Sequence, residues 1–172
     1  GIVRENEKGL KRFGEKIENQ IKLAIHYNMS YLCFGNGEYR VALKWLNKVL
    51  NAKEDGLLPD VRCGARILNL IIHFELNNLE HLEYIMKSTH RYLSAQGRLF
   101  KAETCVLEYM REIITHPDTW KAKNRLIDFK LKMQKISNDP FEKGFFNSLD
   151  IISWIESKIE DRSFAEIVRS AK

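Results

Sequence analysis

Tyr39 aligns with Leu79, Leu43 with Glu83, Leu46 with Met86 and Leu50 with His90 when "CFGNGEYRVALKWLNKVL" is laid on "FELNNLEHLEYIMKSTHRYL". The offset between Tyr39 and Leu79 is 40 residues. Periods of roughly 20–50 residues mark arrays of small supersecondary units, each of which buries its apolar face only by stacking on a neighbour.

The periodicity inside the units is helical. Leu10, Phe13, Ile17, Ile21 and Ala24 recur at steps of three and four, and so do Tyr39, Ala42, Leu43, Leu46, Val49 and Leu50. Leu79, Leu82, Met86 and Leu93 make a third stripe, and Phe145, Leu149, Ile152 and Ile159 a late one. No period-two run bounded by turn residues stands out, so the reading has no strands. Short breaks rich in Gly, Asn, Asp or Pro fall at 35–37, 55–59, 77–78, 96–97, 116–118 and 138–140. They divide the chain into about eight helices. Pro117 and Pro140 sit near helix starts, where a missing N–H costs least. Ser163 and Glu166 have the spacing of a capping box and predict a short last helix.

The turn and second helix "GNGEYRVALKWLNKVL" resemble a tetratricopeptide repeat. Gly37, Tyr39, Ala42, Leu46 and Val49 fill the places of the family pattern. Met29, Ser30 and Cys33 fall where the preceding helix of that family prefers Leu, a small residue and Tyr. The unit around Asn77, Leu79, Leu82, Met86 and Thr89 matches by residue type, with a large Leu82 in place of the small Ala. A third pair, 99–115 and 119–135, matches as helix–turn–helix. The chain also resembles the C-terminal part of large bacterial repeat proteins. The resemblance implies an all-α solenoid of antiparallel helical hairpins over residues 1–172 with a C-terminal capping helix. Its pairs would span about 16–52, 59–95 and 98–136, and its cap 141–172. Gly1 in place of an initiator Met points to a piece of a longer protein. In this family an extended or helical peptide usually lies in the concave groove. The expected function is therefore a non-catalytic protein-interaction scaffold.

The chemistry-bearing residues fit that expectation. Gly35-Asn36-Gly37 lacks the Lys-Ser/Thr of a phosphate loop and follows a helix, so it reads as a hairpin turn. His26, His73, His81, His90 and His116 have no zinc spacing, and no serine-nucleophile elbow occurs. No catalytic residue, cofactor or metal is assigned. Cys33, Cys63 and Cys105 are odd in number and widely spaced, which predicts buried free thiols and a reducing, cytoplasmic setting. No apolar run is long enough to span a bilayer.

Two polar surfaces remain as binding candidates. In "DVRCGARILNLIIHFEL", Arg62, Arg66, Asn69 and His73 fall within a stripe about 60° wide on a helical wheel. Nearly every other position of that segment is apolar. The stripe is expected either to face the groove and take an acidic peptide through its donors, or to pair with acids of the fifth helix such as Glu103. The alternative surface is "WKAKNRLIDFKLKMQK". Lys121, Arg125, Lys132 and Lys135 share a face with Asp128, opposite Trp120, Ile127, Leu131 and Met133. With a net charge of +5, this helix admits nucleic acid or another anionic partner, although interleaved aromatics are absent apart from Phe129.

Overall fold

The computed structural model describes residues 5, 7–9, 12, 17–52, 59–116 and 122–170. Every regular element among them is helical. The order is α1 (Asn19–Gly35), α2 (Tyr39–Leu50), α3 (Pro59–Glu75), α4 (Leu79–Ala95), α5 (Lys101–Thr115) and α6 (Lys123–Ser137). A 3-10 turn (Pro140–Glu142) leads into α7 (Lys143–Ser148), α8 (Ile151–Glu160) and α9 (Phe164–Ser170). The stripe residues Leu10 and Phe13, and Pro117, Asp118, Trp120 and Lys121, lie outside the described residues.

The turn after α1 is set by backbone bonds that only a left-handed residue permits. Gly37 N–H reaches the Phe34 carbonyl at 2.9 Å, and Glu38 N–H reaches Cys33 at 2.8 Å. Gly37 takes φ +77°, where a side chain is strained. The turn after α3 repeats this with Asn77 at φ 56°. Asn77 and Asn78 donate to Phe74 and His73 at 2.9 and 3.0 Å. The residues that open the next helices, Glu38 and Asn78, have φ/ψ of −82/55° and −84/56°. The two turns, 40 residues apart between Gly37 and Asn77, thus share one backbone geometry. Gly97 closes α4 the same way, with N–H bonds from Gly97 to Ser94 and from Arg98 to Leu93.

Helix α3 is the buried centre. Ala65, Ile67, Leu68, Leu70, Ile71 and Ile72 are inaccessible to solvent. It packs against α1, α2, α4 and α7. In the first hairpin a small pair lets the helices approach closely, since the Ser30 hydroxyl donates to the Ala42 carbonyl at 3.0 Å. Leu70 and Leu82, at the corresponding places of the second hairpin, are both fully buried. The apolar stripe read for α1 is out of phase. Ile21 and Ala24 are exposed, and the inward residues are Leu23, Tyr27, Met29, Ser30, Cys33 and Phe34. Two adjacent inward positions per turn widen the buried face beyond a single stripe.

The C-terminal helices pack on α1, α3 and α6. Tyr27 donates its hydroxyl to the Ser148 carbonyl at 2.6 Å, and Asp150 N–H donates to Tyr31 at 3.1 Å. Phe164 packs on Tyr31, Phe34 and the open face of Gly35. Trp154, 1% exposed, stands edge-on to Phe74 and donates to Glu75 at 2.6 Å. Lys158 pairs with the same carboxylate, and Tyr39 also hydrogen-bonds it. Burial and that neighbouring charge hold the Tyr39 phenol protonated, with its pKa pushed up to about 12. At the other end, Glu142 caps α5 by accepting from Lys101 and Ala102 N–H at 3.0 and 3.1 Å. The capping box expected at α9 is present. Ser163 N–H donates to Glu166 Oε2 at 2.8 Å, and Glu166 N–H returns to Ser163 Oγ at 3.3 Å.

Two stability outcomes follow from this packing. Glu75→Ala orphans the Trp154 indole, the Tyr39 hydroxyl and the Lys158 ammonium together, and is expected to cost about 3 kcal/mol or more in urea unfolding. Gly37→Val forces a β-branched residue into the left-handed region and is expected to lower stability by at least about 1 kcal/mol, read from the thermal midpoint.

Candidate functional site

The polar stripe of α3 is turned toward its own hairpin partner. Arg66 lays its guanidinium over the Tyr92 ring of α4, 3.7 Å from the centroid. The Asn78 amide reaches His73 Nδ1 at 3.2 Å. Arg62 is buried, 9% exposed, and both it and Glu103 have partners within the protein. Arg66 Nε and Asn69 Oδ1 are buried without hydrogen-bond partners. Burial lowers the pKa of His73, with help from the charge of His81, so its ring stays neutral more readily. Arg62, Arg66, Asn69 and His73 are thus brought together, but Arg66 and His73 are held by α4 and the α3–α4 turn rather than presented on an open groove. A planar guanidinium stacked on an aromatic ring is attracted to the negative face of the ring.

The charged face of α6 meets α5 across an open cleft. Arg125, Asp128, Phe129 and Lys132 line a cavity of about 250 Å³ together with Cys105, Glu108, Tyr109 and Glu112. Lys132, Cys105 and Glu108 continue into a neighbouring space of about 450 Å³ lined by Leu99, Phe100, Lys101, Thr104, Lys135 and Ile136. Arg125 approaches Glu112 at 3.5 Å, and Lys130 pairs with Glu156 on α8 at 2.6 Å. Three acids in the smaller cavity therefore offset its two cations. Lys121 lies outside the described residues. The buried face of α6 differs from the one read in the sequence. Leu126, Phe129 and Met133 point inward, whereas Ile127 and Leu131 are exposed, Leu131 by 58%. The helix is rotated because Phe129 anchors it, stacking face to face on Tyr109 with centroids 4.1 Å apart and planes 7° apart.

Tyr109 is the residue that the sequence reading missed. It is 6% exposed, and its hydroxyl is buried without a hydrogen-bond partner. Burial, and then the charge of Glu112, raise its pKa far above the usual phenol value, so it stays protonated. Its signal in the sequence is faint: one tyrosine on the cleft side of an amphipathic helix. Cys33, Cys63 and Cys105 are buried free thiols, as their spacing predicts. Burial raises the pKa of Cys33 and Cys105, which disfavours a reactive thiolate. Among the described residues, no three His, Cys, Asp or Glu side chains gather as a metal site would require. No described helix is long and apolar enough to cross a membrane.

The chain matches no protein-family model, no curated protein and no solved structure. Its site is therefore read from its own geometry. An unpaired buried hydroxyl burdens the free protein, so Tyr109→Phe, which keeps the stacked ring, is expected to stabilise the fold by about 1 kcal/mol in chemical denaturation.

Proposed function

We propose that the chain is a non-catalytic protein-interaction scaffold built from tetratricopeptide-like helical hairpins. The observation that carries this reading is the recurrence of one turn geometry at Gly37 and Asn77, each joining two antiparallel helices that pack on the next pair. Repeats of this kind build extended rigid surfaces from neighbour contacts. In this reading α7–α9 serve as the cap, and they also pack on α1, α3 and α6. The partner surface is then carried by the last hairpin, in the cleft between α5 and α6. Rigid helices suit that task because little side-chain or backbone order must be gained on binding.

Internal pairing of Arg125 and Lys130 favours a protein partner over a nucleic acid. Those charges are already neutralised locally, which reduces the number available for phosphate contacts. Three buried thiols favour a reducing compartment such as the cytoplasm.

Affinity capture by the intact chain from native cells, followed by calorimetry with each purified captured protein, tests the reading. At least one captured protein is expected to bind directly, with a Kd in the micromolar range or tighter. Absence of direct binding tighter than about 1 mM for every captured protein overturns it.

A further inference from the structure

The cleft between α5 and α6 has two parts with different chemistry. The larger space, about 450 Å³, is floored by Leu99, Phe100 and Ile136 and edged by Lys132 and Lys135. Neither lysine has a carboxylate partner among the described residues. Lys101, on the same rim, is already paired with Asp139 at 2.6 Å. The smaller space beside it, about 250 Å³, holds the Tyr109 side chain, whose buried hydroxyl has no partner. Helix α6 is covered by α8 through Lys130, which sits roughly opposite the cleft on the helical wheel. Among the described residues, the cleft is lined by α5, α6 and the two residues before α5.

We infer that this cleft is the docking site for an amphipathic helical segment of a partner protein, with carboxylates at the end that meets Lys132 and Lys135. The inference rests on the scaffold reading and names the partner's chemistry. An apolar floor between two antiparallel helices accepts the apolar face of a third helix, as in helix-in-groove recognition. The lining of α5 from Lys101 to Glu112 runs about 16 Å, enough for roughly 11 helical residues. Charge complementarity fixes the acidic end. Lys132 and Lys135 outnumber the one acid, Glu108, that lines the apolar part with them and lacks a basic partner among the described residues, while Glu112 and Asp128 in the smaller space disfavour further carboxylates there.

The probe is a capped helical 14-residue synthetic peptide with a leucine stripe and three glutamates in one terminal turn. A control peptide carries glutamines at those three positions. Fluorescence anisotropy at low ionic strength is expected to give a micromolar Kd for the acidic peptide and at least tenfold weaker binding for the control. Lys132→Glu with Lys135→Glu, both exposed, is expected to bring the acidic peptide to the control's level without moving the thermal midpoint. Equal binding of the two peptides, or binding indifferent to the double charge reversal, overturns the inference. If a captured protein still binds the double variant with unchanged affinity, the scaffold reading stands and this site falls.

Discussion

The carboxylate of Glu75 joins helices that are far apart in the chain. It receives the Trp154 indole and the Lys158 ammonium from α8 and the Tyr39 hydroxyl from α2, while it sits at the end of the buried helix α3. A carboxylate taken out of water is tolerated when charged and neutral donors together replace its hydration. The first hairpin, the central helix and the C-terminal helices are thereby tied at one point. The contact at Gly64 shows the same dependence on close approach, because a Cβ there would meet Ser148 Oγ at 2.6 Å. Helix α7 approaches α3 that closely only because residue 64 has no side chain.

Local features were legible in the sequence because their partners lie within a few residues. The hairpin turn at Gly37, the capping box at Ser163 and Glu166 and the buried character of α3 all came from short-range patterns. The long-range contacts were not. Helix α5 begins at Phe100 and Lys101 without a capping side chain of its own, and Glu142 supplies the cap from forty residues further on. Nothing in the sequence near Lys101 announces that. The phase of α1 was missed for a similar reason. Tyr27 and Tyr31 count as inward residues only once Ser148 and Asp150 are beside them.

The candidate site shows the limit of reading donors without their surroundings. Arg66 and His73 were grouped on one face of α3 from their spacing, yet a wheel does not say what covers that face. Tyr92 and Asn78 cover it, and the stripe becomes part of the hairpin. On α6 the shared face of Arg125, Lys132 and Lys135 was also legible, but the acids of α5 that face it were not assigned to it. The stacked pair of Tyr109 and Phe129 joins the two helices and brings those charges into one cleft.

The path of α7–α9 also matters while the protein is being made. Tyr27, on the aromatic face of α1 with Tyr31 and Phe34, is synthesised 121 residues before its partner Ser148. At about 5–20 residues per second, that interval lasts roughly 6–24 s. During translation the first hairpin is therefore an incomplete unit with an uncovered aromatic flank. Helices α7–α9, which bring Ser148, Asp150 and Phe164 to α1, complete that flank only once they have been made.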